Sequence, residues 1–229
     1  METMATPDAL VTDLREIFGE RLRCVVAYGD GTPVHTLALV EELSVEDLDA
    51  CARRARRWRA DGCAIPLVLG TREFARSLDA FPLEFGAIIA HHRVLYGHDP
   101  FEGLEVAPDD LRRACEVEVK GHLLHLREAY MEAGGAPARI AELVEASAPA
   151  LRTLLENVSR LEGQPRTDAA SLTAHVGARL GAEHERAFAG VLASLESPLA
   201  RGDAARLFPA YLRATEALAD YVDGWTARR

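Results

Sequence analysis

Two apolar runs, Leu22–Tyr28 and Val34–Val40, stand on either side of Gly29-Asp30-Gly31-Thr32-Pro33. Each has about the length of a buried strand and holds β-branched or aromatic residues, so the segment reads as strand, turn, strand. Glycine supplies positive φ for the turn and proline fixes its own. Ser44 followed by Glu46-Asp47 is an N-cap signature, and the helix it opens runs to about Asp61 with Leu48, Cys51, Ala52, Ala55 and Trp58 on its apolar side. Gly62 closes that helix. Ahead of the strands, Leu10, Leu14, Ile17 and Phe18 recur at helical spacing and predict a helix from Pro7 to Phe18. Beyond them, Ala64–Leu69 reads as a short strand, Thr71 to about Leu78 as a helix and Leu83–Ile89 as another strand, with His91–Gly97 following. Strands separated by helices imply a sheet unit.

From Pro108 onward strand-like runs stop and helical periodicity takes over. Leu111, Cys115, Val119, His122, Leu126 and Ala129 form a stripe on a helix over Pro108–Ala133, which Gly134-Gly135 ends. A second helix spans about Pro137 to Leu161, and Pro149 inside it predicts a kink or break. Further helices are expected over about Asp168–Leu180, Ala182–Leu195 and Ala204–Gly224. The expected fold class is therefore α+β: a small mixed sheet with flanking helices over residues 1–105, then an all-α helical bundle over 106–229.

Composition narrows the function classes. The 229 residues suffice for one large domain or two small ones, and 48% of them are hydrophobic. A formal net charge of −10 argues against a nucleic-acid surface, which needs clustered Lys and Arg. The basic run Arg53-Arg54-Ala55-Arg56-Arg57-Trp58-Arg59 lies on a predicted helix and reads as a solvated face, with an anion or partner patch as the minority reading. Cys24, Cys51, Cys63 and Cys115 are dispersed, without a paired spacing, and Cys24 and Cys115 fall in apolar phase as core residues. Met1–Ala9 has no apolar leader segment and no run reaches membrane-spanning length. The expectation is a soluble cytoplasmic protein with neither nucleic-acid nor membrane partners.

The strand–Gly-turn–strand–helix segment resembles the nucleotidyltransferase superfamily, the fold of DNA polymerase beta and of the aminoglycoside nucleotidyltransferases. Phe81-Pro82-Leu83-Glu84-Phe85 and Arg93-Val94-Leu95-Tyr96-Gly97 look like a bacterial branch of it. The resemblance implies a Gly-Ser loop on the nucleotide phosphates, and an Asp-x-Asp on the second strand holding two metals that bridge the triphosphate. Two carboxylates two apart on a strand share one face, as that chemistry requires. In this chain Gly29 keeps the glycine position, and Asp30 replaces the serine. The two aspartate positions fall at about Pro33 and His35. Glu84 is the match for a third acidic position on a later strand. One carboxylate of three cannot assemble a two-metal site, so the resemblance implies the fold with a degenerate catalytic motif.

Other constellations are weaker. His122 and His125, three apart on one helix, could share a metal, yet His122 falls on the apolar stripe and reads as a core histidine. No nucleophile elbow, Walker loop or zinc-protease motif occurs. Three readings follow. The first is a nucleotidyltransferase-fold pseudoenzyme that binds a ligand or partner through Gly29, Asp30, Gly31, His35 and Glu84, in a cleft between the two halves, with no metal and no cofactor. The second is an active nucleotidyltransferase using an unorthodox acidic set such as Asp30 and Glu84, with magnesium and a nucleoside triphosphate. The third is an interaction protein that dimerises or docks through the helical half. An acidic rim would favour a cationic or hydroxyl-rich ligand.

Overall fold

The computed structural model describes residues 7–29, 31 and 33–227. The chain divides into two compact units, Met1–Ala107 and Pro108–Arg229.

The first unit is built on four strands: β1 (Leu22–Tyr28), β2 (His35–Val40), β3 (Leu67–Gly70) and β4 (His92–Gly97). Their order is β3-β2-β1-β4. β1 is antiparallel to both β2 and β4, whereas β2 and β3 run parallel. The sheet is thus mixed, as expected. Alternation along the strands feeds two cores. Val25, Ala38 and Val40 face Leu10, Leu14 and Phe18 of α1 (Asp8–Phe18) and Cys51 and Trp58 of α2 (Val45–Ala60). Cys24, Val26, Leu37 and Leu39 face Phe74, Phe85, Ile88 and Phe101. The α2 start is the expected one: the Asp47 N–H donates to Ser44 Oγ at 3.2 Å, and Asp47 Oδ2 accepts the Ser44 N–H at 3.0 Å. Arg21 donates to both Asp47 oxygens at 2.7 Å, tying the helix start to the entry of β1 and holding the carboxyl well below the usual range.

One element is corrected. Leu83–Ile89, expected as a strand, lies inside helix α4 (Pro82–Ala90). Phe81, Leu83, Phe85, Ala87 and Ile89 alternate as a strand would, but Pro82 is suited to the first helical turn, where its missing N–H would have no partner anyway. Phe85 and Ile88, three apart, then bury together on one helical face. The strand is instead His92–Gly97. The helix expected from Thr71 to Leu78 shortens to α3 (Thr71–Phe74).

The second unit is all helical: α5 (Pro108–Ala133), α6 (Pro137–Leu161), α7 (Ala169–Leu180), α8 (Ala182–Leu192) and α9 (Arg201–Asp223), with one 3-10 turn over Ala193–Leu195. Val144, Leu154, Leu172, Phe188, Phe208 and Tyr211 are among its buried side chains. α6 runs unbroken through Pro149, where a kink or break was expected. Thr153 Oγ1 donates to the Pro149 carbonyl at 3.3 Å, and the Glu145 carboxylate, one turn before Pro149, accepts the Leu199 N–H at 3.0 Å. All four cysteines are free and buried, and burial pushes the Cys24 thiol up to about 11 and Cys115 up to about 12. Among the described residues no helix is long and apolar enough to cross a membrane.

Candidate functional site

The turn end of the β1–β2 hairpin carries the positions that the sequence singles out, Glu84 excepted. β1 ends at Tyr28, and Gly29 takes φ 74°, a left-handed conformation that starts the turn at no steric cost. Gly31 and His35 are exposed. Asp30 and Thr32 lie outside the described residues. The far side of the turn is pinned to the end of α2: the Val34 N–H donates to the Gly62 carbonyl at 2.9 Å, and the Ala64 N–H donates to the Val34 carbonyl at 2.9 Å.

Strand register gathers three rings at this end. Tyr28 stands opposite His35 on β2 and opposite His92 on β4, and directly opposed residues project to one face of a sheet. The Tyr28 and His35 rings lie 5.7 Å apart, tilted by 34°. His92 meets Phe101 edge-on at 4.8 Å. Its Nδ1 lies 3.1 Å from the Ile88 carbonyl, and its Nε2 lies 3.1 Å from Asp99 Oδ1. Asp99 Oδ1 also accepts the Phe101 N–H at 2.8 Å; that bond first, and His92 second, hold this carboxyl below its usual range. Burial pushes the Tyr28 phenol up. The row His35–Tyr28–His92 is therefore graded: His35 is open, whereas His92 is fixed on both nitrogens.

No motif in the sequence assigns Tyr28, His92 or Asp99 a role at this site. Their signal was the ladder itself, which is legible only once β4 is placed at His92. Glu84, by contrast, is not on a strand beside His35. It is exposed in the first turn of α4, while Phe85 and Ile88 of that helix pack on the sheet face that carries the row.

Magnesium with a nucleoside triphosphate would need paired carboxylates on one face of β2. Pro33, His35 and Leu37 alternate there, and none is a carboxylate. Among the described residues, no three of His, Cys, Asp and Glu gather as a metal site. The described residues at this end of the sheet do not supply the paired carboxylates of a two-metal group.

The helical unit has a cavity of its own, about 520 Å³, lined by Leu161, Glu162, Gln164, Arg179, Tyr221 and Trp225, among others. Glu162 Oε2 accepts from Arg179 Nε at 3.0 Å and from Nη2 at 2.7 Å, and Oε1 accepts the Tyr221 hydroxyl at 2.6 Å. His175 Nε2 lies 3.3 Å from Glu162 Oε2, in an orientation that makes no hydrogen bond. Burial, with Glu162 beside it, pushes the Tyr221 phenol up to about 12. Tyr221→Phe deletes one of the bonds on a carboxylate that is 6% exposed. A loss of about 1–2 kcal/mol is expected, read as an earlier urea midpoint with an unchanged slope.

The two histidines three apart on α5 have different partners and share no metal site among the described residues. His122 Nε2 sits 2.6 Å from the Tyr211 hydroxyl, which donates to Ser147 Oγ at 3.2 Å, and Ser147 donates to the Val144 carbonyl at 2.9 Å. His125 is 83% exposed beside Glu128. The pair is one half-buried histidine, bonded to Tyr211 of α9, and one surface histidine.

No protein-family model matches the chain, and no curated protein does. Among solved structures, the chain is similar to the spectinomycin adenyltransferase AAD(9) from Enterococcus faecialis, solved with ATP and spectinomycin. The similarity has a TM-score of 0.57 at 10% identity and covers 92% of this chain and 97% of that one. With a small mixed sheet in the first unit and only helices in the second, this chain has the nucleotidyltransferase fold.

Proposed function

We propose that this nucleotidyltransferase-fold chain has lost metal-dependent nucleotidyl transfer and serves as a binding protein. Its ligand surface is the β1–β2 turn, Gly29, Asp30 and Gly31, with His35 at the strand start and Glu84 on α4. The observation that carries this reading is the ring row His35–Tyr28–His92, which occupies the sheet end where a two-metal enzyme needs carboxylates. Imidazole and phenol groups bind by hydrogen bonding and stacking and cannot concentrate divalent charge on a triphosphate as paired carboxylates do. A hydroxyl-rich ligand suits exposed His35 better than a bare triphosphate suits the negative charge of Asp30.

The test is titration calorimetry against ATP and against spectinomycin, each with and without magnesium, beside a label-transfer assay with radioactive nucleotides. Expected are no magnesium-dependent incorporation, and binding of a ligand that is indifferent to magnesium and lost in His35→Ala. Label transfer that disappears in Asp30→Asn or Glu84→Gln would establish the active alternative instead. Binding that survives His35→Ala would move the ligand surface away from this turn.

A further inference from the structure

The outer face of α5 presents a stripe that no other described residue of the helical unit covers. Val117, Leu124 and Met131 follow one another at seven-residue spacing and are 73%, 57% and 72% exposed. Ala114 before them, and Gly121 and Glu128 between them, complete the alternating three- and four-residue steps, so the face has the a/d spacing of a coiled-coil seam. Gly121 has nothing within 4 Å of where a Cβ would stand, which leaves room for a second backbone. Three large apolar side chains in line on an exposed face differ from the scattered surface leucines that any protein tolerates.

The flanks of the seam say what covers it. One edge carries Arg113, Lys120 and Arg127, and the other carries Glu118, His125 and Glu132. In a parallel helix pair, each residue of the first edge meets the residue five positions further along on the other chain. That step sets Arg113 against Glu118 of a second copy, Lys120 against His125 and Arg127 against Glu132. An antiparallel pair would instead lay the basic edge on its own copy. Within one chain three of the six already brace α5 against its neighbours: Lys120 donates to Asp223 at 3.2 Å, Arg127 to Glu216 at 2.9 Å, and Asn157 donates to Glu118 at 2.8 Å, while Arg113 pairs with Asp110 of α5 itself. Their side chains are therefore held at the two sides of the seam, which stays open between them. We infer that this chain forms a parallel, two-fold dimer through α5, with Leu124 packed on Leu124 of the second copy. Two positions do not favour it: Glu128 meets its own symmetry mate, and Lys120 faces His125, which brings no negative charge, so the complementarity rests on Arg113–Glu118 and Arg127–Glu132.

The inference is independent of the ligand reading and is tested on the full chain by sedimentation equilibrium. Expected is a dimer at micromolar concentration that Leu124→Glu weakens by at least about a hundredfold, as truncating a central contact does. Helical circular dichroism should be unchanged, because Leu124 faces solvent in the monomer. Glu128→Ala should tighten the dimer by about tenfold. Orientation is read by cysteine pairs: the four native thiols are buried, and Val117→Cys and Met131→Cys should each cross-link to its own copy on mild oxidation. Those two positions lie about 21 Å apart along the helix, so an antiparallel pair cannot link both. A monomeric wild-type chain overturns the inference, as does a dimer that survives Leu124→Glu. Self-linking of Leu124→Cys without the other two overturns the parallel arrangement.

Discussion

Trp58→Ala should cost the sheet-bearing unit about 3–5 kcal/mol, the largest effect expected of any single side chain in it. Trp58 is 1% exposed and packs with Leu10, Leu14 and Phe18 between α1, α2 and the sheet. Truncation removes that contact area and leaves a cavity that two helices cannot both collapse into. It also strips a buried carboxylate of a donor, since Trp58 Nε1 donates to Asp13 Oδ2 at 2.8 Å and Asp13 is only 4% exposed. Arg54 and Arg57 remain near the other Asp13 oxygen, at 3.7 and 3.6 Å, so the charge is not abandoned. Trp58→Phe separates the two contributions: it keeps most of the packing and loses the hydrogen bond, so about 1–2 kcal/mol is expected. Urea denaturation followed by circular dichroism reads both. A Trp58→Ala loss below 1 kcal/mol would mean that the α1–α2 layer does not depend on this anchor.

The same residues show what a one-dimensional reading misses. The run Arg53–Arg59 has the composition of a solvated face, and Arg53, Arg56 and Arg59 are indeed exposed. Arg54 and Arg57 are not spectators, because Asp13 lies on another helix, 41 and 44 residues earlier in the sequence, and nothing in helical periodicity announces a long-range partner. Local signals did better. The Ser44 cap, the glycine turn at Gly29 and the stripe of α5 depend on neighbours within a few residues, and the α5 bounds, Pro108 to Ala133, are those the pattern predicts. The failure at Leu83–Ile89 has its own cause: a short, nearly continuous apolar run fits a strand and a buried helix equally, and packing of Phe85 and Ile88 on the sheet decides it. Once that element is misread, β4 is displaced from the ladder, and the row His35–Tyr28–His92 with Asp99 behind it cannot be assembled. His35 was legible because it falls at an aspartate position of the family that the segment resembles. Tyr28, in that same stretch, and His92 acquire their roles only through register.

Acid should weaken the helical unit well before its carboxylates protonate. Between pH 7 and pH 5 a loss of about 2 kcal/mol is expected from His122 alone. Burial holds this imidazole down at about 4 in the folded chain, and the positive charge of His125 on the same helix face acts in the same direction. An unfolded histidine titrates near 6.5, so on acidification the unfolded chain takes up its proton first. The folded form is therefore favoured in full only above about 6.5, and that advantage is lost progressively as pH falls toward the folded value near 4. The polar chain explains why the folded form resists. Neutral His122 donates its Nε2–H to Tyr211, Tyr211 donates to Ser147 and Ser147 to the Val144 carbonyl, so the neutral ring already completes this polar chain. His175 adds to the same trend, because its burial outweighs the attraction of Glu162, while Arg179 and Arg166 also oppose its protonation. The groups that face His175 thus differ from those around His122, and the two can be told apart by mutation. In His122→Gln, which can still donate to Tyr211, the plot of urea stability against pH should flatten by about 2 kcal/mol over this range, leaving the smaller His175 slope. A wild-type stability that is level from pH 7 to pH 5, or a slope that persists undiminished in His122→Gln, would show that His122 is not the buried neutral imidazole of this core.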